Sequence, residues 1–344
     1  MRNFIIAIAL FLGFVFVVAK LAEIQSIAET VQRGIWWFLG LALIVEFLWV
    51  INCGASFRAI YRAMGIEEQI VTLSLIVTAA NFMNLVAPSG GVSGLAIFVS
   101  EARRRNYSPA RAVAAGVLYI LFDYLGLIAI LLVGLVILIR RNDLSLVVIL
   151  ASAALVGLAL LFAFLLNLGM QSAVALGNTL AKLARFLNRM LHPFIHREYL
   201  SEERAHEFAH DAAEGLAEMR TKPKSLLMPL FLAFTNKAAQ IIILILVFLA
   251  FKIPISIGTI IACFSIGTLF VIISPTPAGI GVVEGALTLA LTSMYISLED
   301  AAVITLSYRG ITFWIPLLSG MISLRVLEKV GVKPNSNNNN EIDV

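Results

Sequence analysis

Five ionisable side chains, Glu46, Asp123, Lys237, Glu284 and Arg309, sit inside long apolar runs, and the amides Asn81, Asn84, Asn236 and Gln240 share those runs. At the centre of a membrane span an ionisable residue costs roughly 2.5 kcal/mol or more, so each needs a partner, a water-filled cavity or a function. Arginine and lysine at that depth suit a phosphate, and carboxylates there either neutralise a cation or carry a proton. Lys237 and Gln240 are three apart and Asn236 adjoins them, which puts all three on roughly one side of a helix. Two readings of Arg309 stay open: an ion pair with Glu284 that staples two helices, or a phosphate ligand for which Glu284 competes. A pair that opens when phosphate arrives joins the two. Asp123 and Glu46 read as packed or water-contacting groups, with proton coupling as the alternative role.

Two breaks accompany these charges. "NLVAPSGGVSG" (84–94) carries Asn84, Ser89 and Gly90, and "SPTPAGIGVVEG" (274–285) carries Gly279, Gly281 and Glu284. Proline ends a helix, and the helix that restarts presents backbone N–H groups and the positive end of its dipole, a site for an anion. Glycine lets backbone approach a ligand closely. Neither break is a nucleotide loop, because no Lys-Ser/Thr follows and no strand precedes. The expected substrate-binding set is therefore Arg309, Lys237, Glu284, Asn84, Ser89, Gly90, Gly279, Gly281, Asn236 and Gln240, with Asp123 and Glu46 for coupling. No metal site and no cofactor is expected.

The elements that position these residues follow from composition. Of 344 residues 60% are hydrophobic and 13% charged, and apolar segments follow one another at 4–19, 35–57, 70–87, 89–102, 110–139, 144–168, 226–251, 255–274, 279–295 and 299–324. This is the pattern of an all-α, polytopic membrane helix bundle. The segment 4–19 reads as a retained first helix, since no clean cleavage site follows it. Cys53 and Cys263 lie inside apolar runs and read as small packed hydrophobes. Residues 1–330 read as one integral membrane domain with a charged insert at 169–225, and 331–344 as a disordered polar tail.

Lys and Arg crowd at Arg58, Arg62, Arg103–Arg105, Arg111, the insert and Arg325 to Lys333, which the positive-inside rule makes cytoplasmic together with both termini. For that, 70–102 must enter and leave on one side, as a re-entrant hairpin turned by its break. An offset of 189 lays one break on the other: Pro88 on Pro277, Gly90 on Gly279, Ser108 on Ser297, Ala112 on Ala301, Tyr119 on Tyr308. Counting crossings puts 103–111 inside and 296–300 outside, so the two units run in opposite directions. Inverted repeats with paired broken helices near mid-membrane are a transporter plan. Arg140 and Arg141 fall on the outer side and count against this orientation.

The motifs Asn84 to Gly91, Pro275 to Gly285, and Tyr308-Arg309-Gly310 followed by Trp314 and Pro316 resemble those of the lysylphosphatidylglycerol synthase transmembrane-region family, over about residues 1–330. The resemblance implies a flippase-like membrane protein that moves a phospholipid or a lipid-linked anionic headgroup. The sequence ends about twenty residues after its last apolar segment, so lysyltransfer by this chain alone is not expected. Leu95 and Phe98 stand where relatives often have an arginine. A membrane-embedded transferase on a lipid-linked substrate, or a subunit of one, is the alternative. The aspartates, at 123, 143, 211, 300 and 343, are scattered with no D-x-D among them. A separate synthase is a conceivable partner, and the net charge of +4 suits anionic lipid without implying nucleic acid.

Within the insert, Leu176, Leu180, Leu183, Leu187 and Met190 recur at helical spacing with Lys182, Arg185 and Arg189 off that line. Such a helix either lies on an anionic membrane surface or packs on the bundle. His206 to His210 spell H-E-x-x-H, a zinc-hydrolase pattern, but in a highly charged helix expected to be solvated and without a marked third ligand, so the match reads as incidental.

Overall fold

The computed structural model describes residues 34–86, 93–140, 146–191, 202–221, 223–254, 256–274, 276 and 279–330. The expected first helix over 4–19, Ser89 and Gly90 of the first break, and the polar tail lie outside the described residues. Within them the chain is all-α: α1 (Trp36–Ala63), α2 (Ile70–Val86), α3 (Leu95–Arg104), α4 (Pro109–Arg140), α5 (Leu146–Gln171), α6 (Ala173–Leu191), α7 (Glu202–Thr221), a 3₁₀ turn (Pro223–Leu226), α8 (Leu227–Ala250), α9 (Ile257–Ile273), α10 (Val282–Ser293), α11 (Leu298–Arg309), a π turn (Gly310–Trp314) and α12 (Ile315–Val330). Among the described residues five helical stretches, 36–63, 109–140, 146–171, 223–250 and 298–329, are long and apolar enough to cross a bilayer. Leu41, Phe47 and Leu48 of α1, Leu132 and Val136 of α4, and Leu160 and Phe164 of α5 are exposed, which suits hydrocarbon and would drive aggregation in water.

The 189 offset carries α1, α2, α3 and α4 onto α8, α9, α10 and the α11–α12 span to within about two residues at most ends. Equivalent helices α1 and α8 pack together most extensively. They run antiparallel: the Ile35 N–H at the start of α1 donates to the Ala250 carbonyl at the end of α8 (2.8 Å), while Asn52, later in α1, donates to the Leu232 carbonyl early in α8 (3.0 Å). α2 packs on α12 and, reciprocally, α9 on α4. Both are exchanges between repeats, as an inverted pair requires.

Each break turns its chain back. Arg105, just past α3, bonds Glu68, just before α2 (3.4 Å), and the Tyr107 hydroxyl donates to the Glu67 carbonyl (3.3 Å), so the first hairpin begins and ends at one level. Burial, and after it the Glu68 carboxylate, raise the Tyr107 hydroxyl above its usual range. Ile253, Pro254, Ser256 and Thr259 line one cavity with Ser293 to Ser297 and Asp300, which brings the two ends of the second hairpin together in the same way. With 17 residues α2 reaches about 25 Å and with 10 residues α3 about 15 Å, so the hairpin turns inside the bilayer.

The insert folds as a hairpin of its own. Gly177, Ala181 and Ala184 of α6 are buried together with Leu176 of the leucine line, while Leu183 stays 48% exposed, and Gly177 packs against His206 of α7. α7, expected to be solvated, buries Ala209, Ala212, Ala213, Leu216 and Met219 against α4, α5 and α6. Its charges hold it there: Glu214 pairs with Arg111 (2.8 Å), and Asp211 accepts from Ser108 (3.1 Å).

Repeat exchange depends on close backbone approach. A Cβ at Gly320 of α12 would lie 2.5 Å from Phe82 Cβ and 2.8 Å from the Thr78 carbonyl oxygen of α2, whereas one at Gly157 of α5 would meet nothing within 4 Å. Gly320→Ala is expected to destabilise by about 1–3 kcal/mol by forcing α2 and α12 apart. Gly157→Ala is expected to be neutral or stabilising by up to about 1 kcal/mol. Melting of both variants in detergent checks the contrast.

Candidate functional site

The hairpin tips meet at a cavity of about 260 Å³. From the first repeat it is lined by Asn81, Asn84, Tyr119 and Asp123, and from the second by Lys237, Gln240, Thr268, Tyr308, Arg309 and Thr312, among apolar neighbours such as Trp49, Phe264 and Leu287. Lys237 and Arg309 are about 15–17 Å along their spans, so the cavity is near mid-membrane. The offset pairs Tyr119, Ile120 and Asp123 with Tyr308, Arg309 and Thr312, and all six line the cavity. The space therefore lies where the two repeats' equivalent faces meet.

Both cations are buried and paired. The Lys237 ammonium, 5% exposed, holds Asp123 through both carboxylate oxygens at 2.7 and 2.8 Å. Arg309, 7% exposed, donates from Nε to Glu284 Oε1 at 2.7 Å and lies 4.9 Å from the Phe313 ring centroid. Pairing is what makes such burial tolerable, because a lone charge there would carry its full desolvation cost. The second pair is the staple that the sequence left open. The first was not foreseen, since nothing in their spacing relates residues 123 and 237.

Protein acceptors occupy the restarted helix ends. Asn84 Oδ1 accepts from the Gly94 N–H (2.6 Å) and from Ser93 Oγ (2.9 Å) at the start of α3. Glu284, in the first turn of α10, reaches back with Oε2 to the Gly281 N–H (2.7 Å), as a capping glutamate does. These two N–H groups, expected to face an anion, are thus held by side chains of the same repeat. Gly279 and Gly281 have φ of +73° and +80°, a left-handed backbone that favours glycine, so the two residues make the turn that brings Glu284 within reach.

Asn236 is not brought to the cavity with Lys237 and Gln240. It faces α1, where its Oδ1 accepts from Asn52 Nδ2 at 2.7 Å and lies 3.6 Å from Cys53 Sγ. Neighbours on a helix are 100° apart, which suffices to divide the two between an interface and a cavity. Glu46 is 1% exposed on α1 and interacts electrostatically with Tyr308. Missed altogether were Thr268, Thr312 and the role of Tyr119 and Tyr308, although the offset had already laid one tyrosine on the other. The π turn after Arg309 was missed too. Pro316 has no N–H to give to the Thr312 carbonyl, and the widened turn accommodates that loss while Thr312 Oγ1 donates to the Tyr308 carbonyl (2.9 Å).

His206 packs against Gly177, and His210 is exposed 4.0 Å from Asp211. Among the described residues no three His, Cys, Asp or Glu side chains cluster as metal ligands.

Compared with models of known protein families, residues 4–320 match the one described as Lysylphosphatidylglycerol synthase TM region. A search of curated proteins returned no match.

Removing one member of the Lys237–Asp123 pair leaves the other charge buried alone, so Asp123→Ala is expected to destabilise by roughly 3 kcal/mol. The double variant Asp123→Ala/Lys237→Ala is expected to recover much of that loss. A double-mutant cycle from denaturant melts measures it, and additive single effects would count against a coupled pair.

Proposed function

We propose that this chain, which belongs to the lysylphosphatidylglycerol synthase transmembrane-region family and is a multi-pass integral membrane protein of lipid metabolism or transport, moves a lipid with an anionic headgroup across the bilayer. The observation that carries this reading is the cavity between the hairpin tips, with Lys237 and Arg309 on its wall at mid-membrane. Its 260 Å³ suits a phosphate-bearing headgroup, and acyl chains would stay in the surrounding lipid.

The chemistry is an exchange of anions. A headgroup phosphate entering the cavity competes with Glu284 for Arg309 and with Asp123 for Lys237, so neither cation passes through an unpaired state. Guanidinium matches phosphate through parallel hydrogen bonds, whereas ammonium acts as a point charge. Antiparallel repeats supply the rest: exchanging their conformations exposes one central site first to one face and then to the other. A transferase acting on a lipid-linked substrate has less support, because Asp123 is the one carboxylate among the described lining residues and Lys237 already holds it.

The proposed location is the cell membrane. The base of the first hairpin, with Arg103, Arg104 and Arg111, and the α6–α7 insert face the cytoplasm, and the base of the second hairpin faces the opposite side. Single cysteines at Arg104 and Glu299 in a cysteine-free background are expected to label from opposite sides with an impermeant maleimide. Labelling of both from one side would refute this topology.

Reconstituted in vesicles, Arg309→Lys is expected to melt near the parent temperature yet to move an anionic phospholipid about 10- to 100-fold more slowly, the loss expected for a charge-assisted hydrogen bond worth ~1.5–3 kcal/mol. Unchanged movement in the folded variant would remove Arg309 from the site.

A further inference from the structure

Glu46 is the one buried carboxylate of the described spans that neither ion pair nor cap accounts for. It is ten residues past Trp36, about 15 Å along α1 and so near the middle of the bilayer, 1% exposed, and its Oε1 has no hydrogen-bond partner. The elements packed against α1 carry Lys237 on α8, Tyr119, Asp123 and Tyr124 along α4 with Arg111 and Arg140 near its ends, Lys224 in the 3₁₀ turn, and Tyr308 and Arg309 beside the π turn, while α1 itself carries Cys53, Arg58, Tyr61 and Arg62. α2 contributes no titratable side chain. Arg58 and Arg62 lie twelve and sixteen residues further along α1, about 18 and 24 Å away, and the two cations near mid-membrane hold other carboxylates: Lys237 holds Asp123 and Arg309 holds Glu284. Burial without a cation leaves a proton as the means of removing the carboxylate's charge. Tyr308 belongs to both places, since it lines the cavity and interacts electrostatically with Glu46.

We propose that Glu46 is a proton-binding site that couples lipid movement to a transmembrane proton gradient. When the cavity is open to water on one side, the carboxylate takes one proton from that water, forming one O–H bond. It crosses the occluded state as a neutral carboxylic acid and returns the proton to water when the cavity opens to the other side. No electrons move and no second reactant is needed. A singly charged headgroup and one proton together cross without net charge, so movement of the lipid follows the pH gradient.

This inference rests on the transport reading, and its test separates the two. Purified full-length protein is treated with dicyclohexylcarbodiimide, an apolar reagent that modifies protonated carboxyl groups in membranes, and the adduct is mapped by mass spectrometry. The infrared C=O stretch of a neutral carboxylic acid is recorded on parent and Glu46→Gln protein. In vesicles, anionic phospholipid movement is followed with and without an imposed pH gradient. The expected result is an adduct on Glu46, a neutral-acid band missing from Glu46→Gln, and a several-fold acceleration by the gradient in the parent but not in the variant. An unmodified Glu46 together with an unchanged infrared band overturns the proton site, and does so without any transport measurement. A full gradient response in folded Glu46→Gln overturns the coupling. A modified Glu46 in a parent protein that moves no lipid under either condition upholds proton binding and overturns the transport reading.

Discussion

A peptide backbone interrupted at membrane depth must find its hydrogen-bond partners within the protein, because lipid offers none. Much of this architecture follows from meeting that demand twice. Asn84 supplies the acceptor for the restart of α3, and Glu284 supplies it for the restart of α10. Glu284 thereby acquires a second duty: one oxygen caps the helix, and the other fixes Arg309 at 2.7 Å. Cap and cation are one unit, so any ligand that draws Arg309 away also loosens the turn at Gly279 and Gly281. Backbone satisfaction and the position of the Arg309 guanidinium are coupled through a single carboxylate.

The symmetry of the repeats is used for geometry and abandoned for charge. Tyr119 and Tyr308 are equivalent, and both face the cavity. At the next matched positions Ile120 stands opposite Arg309, and Asp123 opposite Thr312. The second repeat thus contributes to both ion pairs, and the first repeat supplies Asp123 to Lys237. Arg309–Glu284 stays within the second repeat, while Lys237–Asp123 ties the two together. The second is therefore the contact that has to yield if the repeats move against each other.

The outline of the fold was legible because it rests on local signals: long apolar runs, Pro-Gly breaks and the 189-residue offset. The Glu284–Arg309 pair was legible as one of two open readings, since both are charges at membrane depth in the second repeat. What escaped depended on packing between distant segments. Asp123 and Lys237 are 114 residues apart and meet through the exchange of helices between repeats. Asn236 was grouped with Lys237 by sequence adjacency, yet Asn52, on a helix 184 residues earlier, holds it at the α1–α8 interface. In α7 the charges drew attention away from alanines at 209, 212 and 213, whose small side chains give little hydropathy signal but allow close helix contact. The π turn arises from Pro316, whose presence announces a distortion without saying which kind.

The central claim is that the cavity between the hairpin tips holds an anionic headgroup through Lys237 and Arg309. Native mass spectrometry of protein extracted gently from its own membrane tests it most directly, by counting and identifying the lipids that stay bound as detergent is stripped in the gas phase. The account predicts about one retained lipid per chain, anionic and enriched over its share of the membrane, and lost from a Lys237→Gln/Arg309→Gln variant that remains folded. Retention of bulk lipids in bulk proportions by both proteins would contradict it.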